Sequence, residues 1–216
     1  GKSRVAAFNP KDSDESVMGM ETEGLANTNV VYDAGKLVAL EEAHAPFELD
    51  PLTLESVGSN TFGGKLVGPM TAHPKIDPEN GEMLFLGYNA DGMISNAMSF
   101  HVLDKDGNLI RSETFKAPYA AMVHDFITTD EHVIFPIFPA TIDVDRIMNG
   151  GPVIAWDPDA GSHIGIMARN AGVETIRWFT GDPCYVYHPM NAFTLHEGGR
   201  TRVVADMMKY SRVPLF

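Results

Sequence analysis

Asp77-Pro78-Glu79-Asn80-Gly81, followed one residue later by Met83-Leu84-Phe85-Leu86-Gly87-Tyr88, is the stretch of this chain that decides its fold. Aspartate accepts hydrogen bonds from nearby backbone donors, proline fixes its own φ, and glycine readily adopts positive φ, so the first segment is typical of a tight turn. The second segment is mostly apolar and has the length of a strand. Together they predict one arm of a β-hairpin.

The same combination of turn and strand recurs along the whole chain. Aspartates open related turns at positions 50, 77, 104, 130 and 157, in steps of 27, 27, 26 and 27 residues. Short apolar runs lie around them, at 29–32, 36–40, 83–88, 132–136, 153–156 and 202–205, and helical periodicity is almost absent. One hairpin per step makes a four-stranded unit in about twice that length, which is close to the larger propeller repeats.

These spacings predict an all-β chain with about four blades of a β-propeller. A β-sandwich or barrel is the alternative, but its turns are usually spaced at roughly 8–12 residues. No low-complexity linker lies between Val30 and Phe216, so we expect a single partial propeller domain over residues 1–216.

The composition excludes some classes of function. The 216 residues carry a formal net charge of −13, and because nucleic acids are bound by clustered Lys and Arg, we expect no nucleic-acid partner. The single cysteine, Cys184, cannot form an internal disulfide. No apolar run resembles a signal peptide or reaches the roughly 18 residues of a membrane helix. These features favour a cytoplasmic location.

Three of the eight histidines stand out by their apolar or aromatic neighbours. They are His73, His124 and His188, one per blade-sized interval, and proline follows the first and the third, as suits a strand end. Blades around an axis would bring these imidazoles to one point, and imidazole suits Fe, Zn and Cu. The pattern predicts a metal site, although each histidine alone would more simply be a core or turn residue. We expect the other five at the surface: His44, His101, His132, His163 and His196.

Five segments, taken in order, carry a family resemblance. They are Ala26-Asn27-Thr28-Asn29-Val30, Lys36-Leu37-Val38-Ala39-Leu40-Glu41-Glu42, Thr71-Ala72-His73-Pro74-Lys75, His124-Asp125-Phe126 and His188-Pro189-Met190-Asn191-Ala192-Phe193. On these segments the chain resembles the carotenoid cleavage oxygenases, or retinal pigment epithelial membrane protein family, and most closely its bacterial lignostilbene dioxygenases.

The resemblance implies a seven-bladed propeller with an axial Fe(II) ion held by four histidines, three of which are oriented by glutamates. His73, His124 and His188 match the first three ligands, and Glu42 matches the first orienting glutamate, with Glu41 as the alternative register. Without that role, Glu42 would be a solvated charge at a strand end. The fourth ligand of the family lies beyond Phe216, so we expect an internal fragment that is inactive alone.

The implied reaction is oxidative cleavage of a conjugated carbon–carbon double bond in a carotenoid, apocarotenoid or stilbenoid, which yields two carbonyl products. The partners are then dioxygen and an apolar small molecule, and the family's loading of lipophilic substrates leaves membrane contact open. An apolar lining would position the substrate. Its candidates, each of which could instead pack between blades, are Phe62, Phe126, Phe135, Phe138 and Phe193.

One departure from the family concerns the substrate. Members that cleave phenolic stilbenes have a lysine just before the orienting glutamate and a tyrosine upstream, where this chain has Glu41 and Phe8. A carboxylate would repel a phenolate, which favours a less polar substrate. Two other functions stay open: a catalytically inactive propeller that serves as a binding module, and an isomerase.

Overall fold

The computed structural model describes residues 26–92 and 94–214. Strands make up 46% and helices 6% of the structure, which confirms the all-β prediction. In the described residues no helix is long and apolar enough to cross a membrane.

Three antiparallel four-stranded sheets follow one another along the chain. Sheet 1 contains β1 (Asn29–Asp33), β2 (Lys36–Leu40), β3 (Phe47–Leu49) and β4 (Ser56–Ser59) in sequential order. Sheet 2 contains β5 (Lys75–Ile76), β6 (Met83–Tyr88), β7 (Ala97–Leu103) and β8 (Leu109–Lys116), again in order. Sheet 3 contains β9 (Ile127–Thr128), β10 (His132–Ile137), β13 (Ser162–Ala168) and β14 (Arg177–Gly181).

Two further hairpins complete the described structure. Hairpin 4 pairs β15 (Pro189–Glu197) with β16 (Arg200–Met207) and stands where a fourth blade would begin. The side hairpin pairs β11 (Ala140–Ile142) with β12 (Ile154–Trp156) and carries the short helix α1 (Val144–Met148). Asp143 caps this helix by accepting a hydrogen bond from the backbone N–H of Arg146 at 2.7 Å. Three sheets and the first hairpin of another agree with a chain of about four blades, and in the described residues they do not close into a ring.

The side hairpin contains one of the strands predicted from the sequence. The run at 153–156 is a strand, but it pairs with β11 and lies outside the four-stranded sheets. Local strand pattern cannot distinguish the two, because the partner of a strand is chosen by tertiary packing.

The turn aspartates occupy equivalent places in the sheets. Asp77 lies between β5 and β6, and Asp104 lies between β7 and β8, so sheet 2 has one such turn per hairpin. The carboxylate of Asp104 accepts hydrogen bonds from the backbone N–H groups of Asp106 and Asn108, at 3.0 and 2.8 Å. Gly107 adopts a φ of 78° in the same turn. The regular spacing in the sequence therefore reflects repeated hairpin geometry.

Stacking of the sheets forms the core. Successive side chains of a strand point to opposite faces, and in β6 Met83 and Phe85 join the cluster shared with sheet 1, whereas Leu84 and Leu86 join the cluster shared with sheet 3. Sheet 2 is thus covered on both faces. A third cluster, built around Phe138, Ala140 and Tyr185, lies beneath the side hairpin.

Candidate metal centre

The three singled-out histidines occupy the same position in sheet 2, sheet 3 and hairpin 4. His73 precedes β5, His124 precedes β9 and His188 directly precedes β15, so each lies just before the strand by which the chain enters its sheet. His73 and His124 are half-buried and His188 is exposed. The repeated architecture therefore brings side chains together that are 51 and 64 residues apart in sequence.

The imidazoles converge through the same ring atom. The Nε2 atom of His124 lies 3.1 Å from Nε2 of His73 and 3.1 Å from Nε2 of His188. The three ring centroids are 4.7 to 4.9 Å apart. Among the described residues, His73, His124 and His188 form a group whose ligand atoms lie close enough together to hold one metal ion.

Glu42 determines which nitrogen of His124 faces the cluster. Its Oε2 atom lies 2.9 Å from Nδ1 of His124, and because a carboxylate can only accept, Nδ1 donates the hydrogen bond. The neutral ring then has its lone pair on Nε2. A carboxylate that fixes the remote nitrogen in this way also raises the basicity of a ligating imidazole.

The cluster fits a metal ion on two physical grounds. Nε2 atoms 3.1 Å apart are close enough for their lone pairs to converge on one cation. With metal–nitrogen bonds of about 2.1 Å, two nitrogens at a right angle lie about 3.0 Å apart, close to the spacing found here. The donor set is nitrogen only, which suits transition metals such as Fe, Zn and Cu.

Burial keeps His73 in the form that binds metals. Removal from water lowers the pKa of His73 to about 4, and the neighbouring His124 and His188 act in the same direction. Lys75 also lowers it, whereas the carboxylate of Asp125 opposes the shift. A neutral imidazole at pH 7 can coordinate without first losing a proton.

Tyrosines surround Glu42, and the sequence analysis did not find them. Burial raises the pKa of Tyr88 well above its ordinary value, and Tyr88 remains a protonated donor in a hydrogen bond to Glu42. The ring of Tyr187 meets His124 edge-on at 5.3 Å. The available signal for Tyr88 was its place as the polar end of the apolar run 83–88, next to a predicted turn.

Glu41 contacts His44 and the backbone of Ala43. One of its carboxylate oxygens lies 2.6 Å from Nδ1 of His44 and accepts from the backbone N–H of Ala43 at 2.9 Å. Of the two registers considered for the orienting glutamate, the one with a contact to His124 is therefore Glu42. Phe8 lies outside the described residues.

One histidine was predicted wrongly. His101 is fully buried, with its ring stacked on Phe85 at 4.7 Å and its Nε2 atom 3.1 Å from the carbonyl oxygen of Val67. Its polar local context suggested the surface, but both faces of β7 are covered by neighbouring sheets. The other four have partners outside the cluster, which are Glu41 for His44, Thr194 for His132, Ala160 for His163 and Glu131 for His196.

The aromatic candidates for a substrate lining lie in several environments. Phe126 and Phe135 are fully buried in the cluster between sheets 2 and 3, and Phe138 is buried in the third cluster. Phe62 packs on Phe85 at 5.7 Å. Phe193 is 40% exposed on β15. Their contact with a substrate stays a prediction.

Comparison with known proteins gives a consistent result. The family model described as "Retinal pigment epithelial membrane protein" matches residues 2–216. Isoeugenol monooxygenase of Pseudomonas putida is 38% identical over 207 residues, which cover 95% of this chain and 42% of that protein.

Solved structures agree in fold and sequence. The lignostilbene dioxygenase of Pseudomonas brassicacearum has a TM-score of 0.78 and 40% identity, over 85% of this chain and 38% of that one. Cobalt-substituted apocarotenoid oxygenase of Synechocystis has a TM-score of 0.73 and 27% identity, over 90% of this chain and 41% of that one. The chain thus spans less than half the length of these relatives.

Proposed function

The chain belongs to the retinal pigment epithelial membrane protein family, and from this premise we propose that the complete protein is a non-haem Fe(II) dioxygenase cleaving a conjugated carbon–carbon double bond. The observation that carries the proposal is the convergence of the Nε2 atoms of His73, His124 and His188, with Glu42 on the remote nitrogen of His124. Residues 1–216 would form one partial propeller domain of that protein.

His73, His124 and His188 would hold the iron, together with a further ligand from outside this chain. Bound Fe(II) would supply the site at which dioxygen is reduced. In the overall reaction one oxygen atom of dioxygen would go to each alkene carbon, so that one C=C bond becomes two C=O bonds. Neutral imidazoles suit this ion because they leave its charge at +2. The named activities of the relatives, an isoeugenol monooxygenase and a lignostilbene dioxygenase, support this reaction class.

The chain's own residues would organise the site in three ways. Burial holds the pKa of His73 at about 4, so that its ring is neutral at pH 7. Glu42 orients His124 and is itself fixed by the hydroxyl of Tyr88. Met122 and Val186, each two residues before a site histidine, belong to the third core cluster and so anchor the segments that carry His124 and His188.

The substrate would be a conjugated alkene of the carotenoid, apocarotenoid or stilbenoid class. Glu41, engaged with His44, places a carboxylate one residue before Glu42, where it would disfavour an ionised phenol. We therefore propose apocarotenoids and phenolic stilbenes as comparable candidates. A cytoplasmic location remains part of the proposal, and the clustered histidines argue against a binding module without catalysis.

The test uses the complete polypeptide loaded anaerobically with Fe(II). A stilbenoid, an apocarotenoid and isoeugenol are each supplied with isotopically labelled dioxygen, and the products are identified by mass. Paired carbonyl products that carry the label, absent in His124→Ala and retained in the remote control His163→Ala, are expected. Isomerised product without label would replace the proposal by isomerisation, and absence of iron binding by the wild-type protein would overturn it.

A further inference from the structure

Lys75 and Asp125 form an ion pair between the two segments that carry His73 and His124. We propose that this pair is a positioning device for the metal centre, which holds the two imidazoles at the spacing needed to share one ion. The inference rests on the proposed function. It concerns residues that would not touch the ion and act only through the histidines beside them.

The pair is close and well shielded from solvent. Nζ of Lys75 lies 2.7 Å from Oδ1 of Asp125, and the two side chains are 27% and 6% exposed. The same oxygen accepts the backbone N–H of Phe126 at 2.7 Å, and Nζ lies 5.5 Å from the centroid of the Phe126 ring. Both charges are therefore fixed by more than their mutual attraction.

Its place in the chain makes the pair specific to the site. Lys75 is the first residue of β5 and stands two residues after His73, while Asp125 directly follows His124. One bond between the charged ends thus joins two histidine-bearing segments that are otherwise 51 residues apart. A second link runs in parallel, since the hydroxyl of Thr71 donates to the carbonyl oxygen of His124 at 3.4 Å.

Burial gives a reason to assign this pair a role beyond holding sheets together. Taking two charges out of water costs free energy that their attraction does not fully return, so apolar side chains could join the segments at least as well. An ion pair fixes distance and direction, and binding constellations need supports that lock their side chains in place. Lys75 and Asp125 supply this support on one side of the cluster.

The molecule provides a matched comparison. Arg169 and Asp77 also join sheet 3 to sheet 2, at 2.6 Å between Nη1 and Oδ2 and with 18% and 13% exposure. Arg169 directly follows β13. Asp77 lies in the turn between β5 and β6, at the opposite end of β5 from His73. This pair links the same two sheets with similar burial but holds no histidine-bearing segment to another.

The experiment measures Co(II) binding to the complete polypeptide, by affinity and by the visible absorption bands of the bound ion. Lys75→Met, Asp125→Asn and the double variant are expected to bind Co(II) about tenfold or more weakly, with shifted bands. Lys75→Arg keeps the charge and is expected to retain more of the affinity than Lys75→Met. Arg169→Met is expected to lose stability while it retains wild-type affinity and bands.

Some of these variants could fail to fold, and Asp125→Glu guards against that outcome. It keeps the charge but lengthens the side chain, so shifted bands in a folded protein support positioning. Wild-type affinity and bands in all folded pair variants would overturn the inference, as would an equal loss of affinity in Arg169→Met. Failure of the wild-type protein to bind Co(II) or Fe(II) would instead overturn the proposed function itself.

Discussion

The Nδ1 atom of His124 lies 2.9 Å from Oε2 of Glu42, although 82 residues separate the two in sequence. This contact fixes the tautomer of the central histidine and directs its Nε2 lone pair toward His73 and His188, each 3.1 Å away. A metal site of three imidazoles therefore depends on a residue from the loop that follows β2 of sheet 1, whose strands contribute no histidine to the cluster.

Replacement of this carboxylate should weaken metal binding. In Glu42→Gln the amide oxygen can still accept from Nδ1, but without a charge it supports the basicity of the ring less. We expect roughly 10- to 100-fold weaker binding of a divalent metal, measured by competition with a chromophoric chelator at pH 7. Glu48→Gln, which removes the partner of Lys36 in sheet 1, is the matched control. Equal affinities of the two variants would contradict the prediction.

Metal binding should also stabilise the fold, because the site joins sheets 2 and 3 to hairpin 4. A ligand at 100 times its dissociation constant adds about 2.7 kcal/mol to the free energy of unfolding if only the folded state binds it. We expect chelation to lower the melting temperature of the wild-type protein. His124→Ala should melt at one temperature with or without metal, and a metal-dependent shift in this variant would locate the binding elsewhere.

Much of the fold could be predicted because turn chemistry is local. The aspartate-led turns and the strand at 83–88 are determined by their own residues. The predicted run has the same bounds as β6, which spans Met83–Tyr88. The candidate ligands could also be predicted from the sequence, because the proline after His73 and the proline after His188 mark strand ends in a repeated architecture.

The remainder depends on which sheets stack. The polar local context of His101 suggested the surface, yet sheet 1 covers the face of β7 on which it lies. Tyr88 likewise acquires its role only when Glu42 from another sheet comes within hydrogen-bonding distance. The strand β12 was recognised, but its partner β11 follows from packing against the third cluster.

Gly87 is a position at which even a methyl group should be poorly tolerated. A Cβ atom there would lie 2.1 Å from the carbonyl oxygen of Pro69 and 2.9 Å from Oγ of Ser99. Because Pro69 lies in the segment that leads to His73, relief of the clash would also disturb the site. We expect Gly87→Ala to cost about 3 kcal/mol or more, by urea denaturation.

The control for this substitution is another strand glycine. A Cβ atom at Gly181, the last residue of β14, would have no neighbour within 4 Å. Gly181→Ala should change the unfolding free energy by no more than about 0.5 kcal/mol. Similar losses in both variants would mean that the effect comes from strand backbone and that the close approach of Pro69 is unimportant.

The last prediction concerns acid sensitivity and follows from His101. Burial lowers the pKa of His101 to about 4, while an unfolded histidine titrates near 6.5. Between these values the unfolded chain binds a proton that the folded chain does not, so stability falls as the pH is lowered from about 6.5 to about 4. A shift of this size corresponds to roughly 3 kcal/mol from His101.

His101→Gln removes the titrating ring and can still donate a hydrogen bond to the carbonyl oxygen of Val67. Melting temperatures between pH 7 and pH 4, measured without metal, should therefore fall less steeply in this variant than in the wild-type protein. The curve retains some slope because the pKa of His73 is lowered in the same direction. The solvent-exposed His196→Gln should follow the wild-type curve, and a His101→Gln curve parallel to wild type would show that the buried ring does not titrate in this window.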